Sequence, residues 1–145
     1  YIGTLEYEIK EGNGIIKEYY DNDKLQFEGE YLDGERNGKG KEYNYYGRLE
    51  YEGEYLNGER NGMGKEYIEY NYEYLLKFEG EYLNGKRNGG GKEYYNNGIL
   101  KFDGEYLNGK RNGKGREYNP DGKLEYEGEY LNGERNGKGK KYKWW

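Results

Sequence analysis

The sequence predicts an all-β protein, an elongated single-layer twisted antiparallel sheet of successive β-hairpins. Three observations predict it. A segment of 24 residues recurs along the chain, residues alternate in polarity with a period of two within each segment, and Asn-Gly pairs separate the alternating runs. Because one hairpin cannot bury its own apolar face, we expect each repeat to pack against the next.

The repeat is defined by the aromatic residue that opens each unit. Phe27, Tyr51, Phe78, Phe102 and Tyr126 are spaced 24, 27, 24 and 24 residues apart. A degenerate unit with related spacing precedes them. We therefore interpret 1–145 as a single repeat domain of about six hairpin units, at residues 3–26, 27–50, 51–77, 78–101, 102–125 and 126–145.

Each unit contains two predicted strands and two predicted turns. In LEYEGEYL, residues 49–56, apolar residues or glycine alternate with residues that are mostly glutamate, so one face is expected to be buried. Asn57-Gly58 predicts a tight hairpin turn, because both residues tolerate positive φ. A second strand follows at 62–67. Asn97-Gly98 is an example of the turn that connects one unit to the next.

Glycines recur inside the predicted strands, where glycine normally weakens a sheet. We interpret them as space for aromatic rings, which can lie across a backbone that has no Cβ atom. Tyrosine and glycine would then form one packing unit. These glycines are Gly29, Gly53, Gly80, Gly104 and Gly128 in the first strands and Gly40, Gly64, Gly91, Gly115 and Gly139 in the second.

The insertion and the two ends depart from the repeat. The three extra residues lie within 68–76 and are expected to lengthen a turn without ending the sheet. The first unit has isoleucines that later units lack, among them Ile2 and Ile16, and is interpreted as a cap. Trp144 and Trp145 are expected to fold back over the last aromatic residues or to form a dimer through the C-terminal end.

Composition restricts the core and the partners. Only 32% of the 145 residues are hydrophobic and 37% are charged, but 22 are tyrosine, so tyrosine must supply most of the core. The net charge is −5 with both signs interleaved, which argues against nucleic acid as a partner. The longest apolar runs are far shorter than a membrane span.

The absent residue types restrict the chemistry. The chain has no Cys, His or Ser, so the common zinc sites and Ser, Cys or His nucleophiles are excluded, and no cofactor is expected. The recurring Gly-x-Gly lacks the remainder of a phosphate-binding loop. The glutamates recur in every unit, whereas an active site is built once. We therefore expect a protein that is not an enzyme and that is intracellular, either cytoplasmic or associated with cytoskeleton or membrane.

Two recurring sets of side chains are candidate binding residues. A single-layer sheet has no second layer, so part of an aromatic groove is expected to remain open to a protein or peptide, although the same rings could simply be core. A row of arginines could contact anions or lipid headgroups, although acidic residues adjoin it. The groove residues are Tyr31, Tyr55, Tyr82, Tyr106 and Tyr130, and the arginines are Arg36, Arg60, Arg87, Arg111 and Arg135.

The repeated pattern resembles a known family. The spacing (Y/F)-x-G-x-Y-x-x-G-x-x-x-G-x-G, seen from Phe102 through Gly104, Tyr106 and Gly113 to Gly115, resembles the MORN repeat, the membrane occupation and recognition nexus motif. Five copies stand in register. Here the repeat is a 24-residue variant, with tyrosine where the commonest form has tryptophan.

The resemblance implies a function as well as a fold. Proteins with such repeats are usually scaffolds, and the resemblance implies a non-enzymatic scaffold for protein–protein interaction through an aromatic-lined concave groove. The alternative is a module that binds phospholipids or phosphoinositides, or a regulatory segment of a larger enzyme such as a phosphatidylinositol phosphate kinase. A membrane lipid therefore remains a possible partner at this point.

Overall fold

The chain forms one antiparallel sheet of 12 strands, in which every strand is hydrogen-bonded to its neighbours in sequence order. The computed structural model describes residues 3–10 and 13–144. The predicted all-β array of successive hairpins is confirmed. The strands are β1 Leu5–Lys10, β2 Asn13–Tyr19, β3 Leu25–Leu32, β4 Glu35–Tyr43, β5 Leu49–Leu56, β6 Glu59–Tyr70, β7 Glu73–Leu83, β8 Lys86–Tyr94, β9 Leu100–Leu107, β10 Lys110–Tyr118, β11 Leu124–Leu131 and β12 Glu134–Lys141.

Tight turns close the hairpins within units, as the Asn-Gly pairs predict. Asn57 and Gly58 have φ angles of 50° and 85°, which asparagine and glycine tolerate better than other residues. From Asn57-Gly58 onward, each of these turns is also bonded to the preceding unit. The N–H of Gly85, for example, donates to the carbonyl of Arg60 at 2.9 Å. These bonds fix the position of one hairpin relative to the next.

The insertion lengthens two strands and not the turn. Ile68, Glu69 and Tyr70 continue β6 and pair with Leu75, Tyr74 and Glu73 of β7. The turn between them has only two residues, Asn71 and Tyr72. The prediction that the sheet continues through the insertion is confirmed, but the predicted longer turn is wrong. Extra cross-strand hydrogen bonds satisfy the backbone groups that a longer loop would have left to solvent.

One face of the sheet, hereafter the aromatic face, contains the core. Phe27, Tyr51, Phe78 and Phe102 have no exposed surface. Edge-to-face contacts join the rings across the units: the Phe78 centroid lies 5.7 Å from Tyr82 of its own strand and 5.3 Å from Tyr106 of the next unit. The resulting chain of rings runs from Tyr31 to Tyr130.

Glycine provides the space under these rings, as the sequence predicts. A Cβ atom built on Gly64 would lie 2.3 Å from the Tyr51 hydroxyl oxygen and 2.5 Å from Cε2 of the same ring. Gly64 is paired directly with Gly53 of the adjacent strand. Each aromatic ring therefore lies on a pair of glycines, and this pairing recurs in the later units.

The two ends of the sheet differ from its middle. Ile16 stands opposite Gly29, at the register position where the later units have glycine. All of β12 is exposed. Trp144 is 54% exposed, and its indole N–H donates to the carbonyl of Leu124 at 2.8 Å. Ile2 and Trp145 lie outside the described residues, so the predicted dimer through the C-terminal end stays a prediction.

Candidate functional site

Arginines cover the aromatic face. The guanidinium carbon of Arg87 lies 4.0 Å from the centroid of the Phe78 ring, and that of Arg60 lies 4.2 Å from the centroid of Tyr51. Arg36, Arg111 and Arg135 take the same position in their units. The planar guanidinium group stacks well on an aromatic ring, so these contacts shield the core from water.

Glutamates from the preceding unit hold these arginines in place. Glu66 of β6 accepts hydrogen bonds from the Tyr82 hydroxyl at 2.5 Å and from Nε of Arg87 at 2.7 Å. Glu42, Glu93 and Glu117 likewise accept hydrogen bonds from the tyrosine and the arginine of the unit that follows their own. Each carboxylate thus joins two consecutive hairpins through two charge-assisted bonds.

The shifts in pKa agree with this arrangement. Burial would raise the pKa of the Glu66 carboxyl, but the hydrogen bond and charge of Arg87, with the bond from Tyr82, outweigh burial and lower that pKa below its ordinary value. Burial and the bond to Glu66 raise the pKa of Tyr82. The glutamate is therefore ionised and the tyrosine neutral in the folded protein at neutral pH.

The tyrosines expected to line an open groove are in fact core residues. Tyr55, Tyr82, Tyr106 and Tyr130 are each only 4% exposed, and Tyr31 is partly buried against them. The expectation that these rings remain open is wrong, because neighbouring rings and the arginines cover them without any second layer. Each of the four buried tyrosines also donates its hydroxyl to a glutamate, as Tyr106 does to Glu93 at 2.6 Å.

The predicted row of arginines is present, but each arginine already has a carboxylate partner. Side-chain exposure is 21% at Arg36, 24% at Arg60 and 19% at Arg87, and Arg111 is similar, while Arg135 in the last unit reaches 36%. A headgroup phosphate would have to displace these carboxylates from the arginines. Contact with anions or lipids at these five residues stays a prediction.

The open surface lies on the opposite face of the sheet, hereafter the groove face. A groove of about 1210 Å³ crosses it from Ile15 of β2 to Asp103 of β9. Paired glycines such as Gly53 and Gly64 lie along its floor, because the space beside their Cα atoms is filled only on the aromatic face. We call this feature the glycine groove. A second groove of about 580 Å³ continues from Asp103 to β12.

Glutamates along the groove shape the hairpins. The Glu54 carboxylate accepts a hydrogen bond from the backbone N–H of Met63 at 2.6 Å, beside Gly62, whose φ is 91°. Glu81 accepts the N–H of Gly90 in the same way. These bonds satisfy backbone groups where the register shifts between the two strands of each hairpin. The recurrence of these glutamates therefore has a structural cause.

Charges of alternating sign cross the groove face. Glu52 stands between Lys41 on one side and Lys65 on the other, and Glu79 stands between Lys65 and Lys92. Apolar side chains interrupt these charges at two positions. Ile15 is 52% exposed and Met63 is 56% exposed. The glycine groove therefore presents apolar, acidic and basic groups together.

A row of exposed leucines follows the groove at its hairpin-turn side, and sequence reasoning did not identify it as a candidate site. In each of the strands concerned the leucine is two residues beyond a groove-face glutamate and is 43 to 51% exposed. The signal was present, because the leucine before the hairpin turn within each unit from residue 27 onward falls on the face otherwise occupied by glutamate. The row comprises Leu32, Leu56, Leu83, Leu107 and Leu131.

Metal-ligand clusters and membrane-spanning helices were sought in the described part of the chain. Residues 3–10 and 13–144 contain no cluster of three or more Asp or Glu side chains that could hold a metal ion. The same residues form no helix of the length and apolarity that crossing a membrane requires.

Comparison with known families agrees with the geometry. The family model described as the MORN repeat matches residues 27–44, 51–68, 78–99, 102–123 and 126–143. The chain belongs to the MORN repeat family. Each matched segment begins at the aromatic residue that opens a unit and contains a ring lying on paired glycines. No curated protein matches this MORN-repeat chain. The family is a repeat scaffold and not a catalytic fold.

Proposed function

We propose that this MORN-repeat chain is a non-enzymatic scaffold that binds an extended or helical segment of a protein partner in the glycine groove. The observation that supports this proposal most strongly is the groove of about 1210 Å³ on the only face that the rings and arginines leave uncovered within the described residues. Exposed apolar groups at Ile15 and Met63 and the leucine row offer the surface that protein interfaces bury.

The dimensions of the glycine groove suit a peptide. It crosses eight strands, from β2 to β9, and strands lie about 4.8 Å apart, so it is roughly 34 Å long. That length accommodates roughly 10 residues of extended chain or roughly 22 residues of helix. A small metabolite would leave most of it empty.

The experiment selects peptides from a displayed random library against the wild-type chain and measures their affinity by calorimetry. Met63→Glu places a charge on the groove floor and is expected to weaken binding at least tenfold, because a buried unpaired charge is costly. Lys138→Glu, at the equivalent position of the last unit outside the glycine groove, is the matched control and should bind normally. Unchanged affinity in the Met63 variant would contradict the proposal.

Vesicle flotation tests the lipid alternative on the same proteins. The protein-scaffold proposal predicts no flotation with phosphoinositide vesicles at moderate salt. The lipid-binding module would be favoured instead if the protein floats only with vesicles that contain phosphoinositide. In that case a folded variant with both Arg87→Glu and Arg111→Glu should no longer float.

A further inference from the structure

The lengthened hairpin between the third and fourth units projects beyond its neighbours. At the other described connections between units, short turns such as 44–48 and 95–99 are each closed by two backbone hydrogen bonds. At the third connection the strands continue through three more residue pairs. We call residues 68–75 the tip hairpin. Its sequence, IEYNYEYL, contains two glutamates and three tyrosines and no basic residue.

The side chains of the tip hairpin are unusually exposed for this protein. Tyr70 is 48% exposed, Tyr74 is 51% exposed and Tyr72 is 97% exposed. Tyr46 of the adjacent 44–48 turn is 69% exposed. From β2 to β12 the other strand tyrosines are buried or half-buried. The tip hairpin therefore concentrates the aromatic surface that the aromatic face conceals.

Tyr72 also occupies a backbone conformation that is unfavourable for a bulky residue. Its φ is 63°, whereas the turns within units have glycine at the equivalent second position, as at Gly58 and Gly85. A side chain with a Cβ atom costs free energy in this region, and such residues cluster at functional sites. A tyrosine here contributes nothing to the core, so the structure suggests a role at the surface.

The aromatic face shows which chemical group suits a tyrosine beside a glutamate. There, each guanidinium group stacks on a ring and pairs with a carboxylate, as Arg87 does with Phe78 and Glu66. In the tip hairpin Tyr70 stands directly opposite Glu73, and Tyr74 stands directly opposite Glu69. Glu69 pairs with Arg48, but within 3–10 and 13–144 no ion pair forms at Glu73.

We propose that the tip hairpin is a second binding site, which takes an arginine-rich segment of a partner protein. The partner's guanidinium groups stack on Tyr70 and pair with the Glu73 carboxylate on one side of the hairpin, and they stack on Tyr74 on the other side, with Tyr72 between them at the turn. The charge of the hairpin is complementary to such a segment, and the rings supply the stacking surface that guanidinium prefers over ammonium. The site is separate from the glycine groove, which does not include residues 68–75.

The test measures fluorescence anisotropy with an arginine–glycine peptide, with the same peptide carrying lysine, and with one carrying citrulline, which keeps the planar group without its charge. The wild-type chain is expected to bind arginine most tightly, lysine less and citrulline least. Tyr70→Thr, Tyr72→Gly and Tyr74→Thr together should weaken binding by at least about tenfold, since each exposed cation–π contact contributes about two- to fivefold and the three factors multiply. Glu73→Gln should weaken it by about two- to fivefold.

Two controls separate this site from general attraction to an acidic chain. Glu134→Gln removes the same charge from an exposed position of β12 and should leave the affinity unchanged. Tyr72→Gly alone should raise the urea midpoint of unfolding, because glycine tolerates the positive φ at this position, and it should weaken binding of the arginine peptide. A variant that is more stable but binds less tightly shows that the loss of binding is not caused by loss of folding. Three results would overturn the proposal. They are equal affinity for the arginine and citrulline peptides, wild-type affinity in the triple variant, or a loss of affinity in Glu134→Gln equal to that in Glu73→Gln.

Discussion

The aromatic face and the groove face come from the same strands, yet they differ in nearly every physical property. On the aromatic face, rings lie on glycines and arginines lie on rings, so Tyr51 has no exposed surface. On the groove face, Met63 is 56% exposed although it is adjacent in sequence to Gly64. A single-layer sheet can thus bury a core on one of its two faces without a second layer of strands or helices. On that face the arginine side chains cover the rings.

The difference between the two faces separates the residues that determine stability from the residues that are available for binding. Charges on the aromatic face are paired and partly buried, as at Arg87 and Glu66, whose side chains are 19% and 20% exposed. Charges on the groove face alternate at the surface, where ion pairs contribute little to stability. Substitutions on the aromatic face should therefore change the free energy of unfolding, and substitutions on the groove face should change binding.

Raising the pH should give the largest effect. Burial and hydrogen bonds to glutamates raise the pKa of Tyr55, Tyr82 and Tyr106, so the folded protein retains protons that the unfolded chain releases near pH 10. Stability is complete below that pH and is lost above it, by about 1.4 kcal/mol per pH unit for each such tyrosine. We expect a cooperative step in tyrosinate absorbance to coincide with loss of β circular dichroism above about pH 11. Ionisation of these tyrosines in a sheet that remains folded would contradict the closed aromatic face.

Two adjacent glycines of β8 give the sharpest pair of mutations. A Cβ atom on Gly91 would lie 2.6 Å from the Phe78 ring, whereas the nearest atom to a Cβ on Gly90 is a Glu81 oxygen at 3.5 Å. Gly91→Ala should destabilise the protein by about 3 kcal/mol through overpacking. Gly90→Ala should change stability by less than about 1 kcal/mol and can increase it. Urea unfolding measures both, and similar values would show that the two faces are equally open.

A comparison of two carboxylates should give a smaller difference. Glu93→Gln removes the charged partner of Tyr106 and the nearer of two carboxylates at Arg111, and we expect a loss of about 2 kcal/mol. Asp103→Asn removes a charge from the groove face, where Asp103 stands between Lys92 and Arg116, and should cost less than about 0.5 kcal/mol. Thermal unfolding of the two variants at neutral pH checks the difference. A larger loss for Asp103→Asn would reverse the assignment of the faces.

Much of the fold could be predicted from local signals. The period of two, the Asn-Gly turns and the recurring strand glycines determine the hairpins, and the sheet follows because each hairpin needs a neighbour. The role of Gly64 under Tyr51 was predictable for the same reason.

Local signals could not predict that the aromatic face is closed and that the groove face is open. Closure of the aromatic face depends on contacts between units, such as Glu42 with Arg60 across 18 positions of sequence, and these require the register between hairpins. The open groove depends on the same register, because it forms where paired glycines from many strands align. The longer turn was predicted in error because Asn71-Tyr72 has tyrosine in place of glycine, so the insertion lacks the Asn-Gly signal that marks the other hairpin turns.

Hydroxyl-radical footprinting of the unmodified protein tests the contrast between the two faces most directly, because methionine and tyrosine both react when they are exposed. The chain has a single methionine, so Met63 reports on the groove face without ambiguity, while Tyr55, Tyr82 and Tyr106 report on the aromatic face. We predict that Met63 is modified early and that the three tyrosines are modified only under conditions that unfold the sheet. Modification of these tyrosines in the native protein at a rate comparable to that of Met63 would contradict the account.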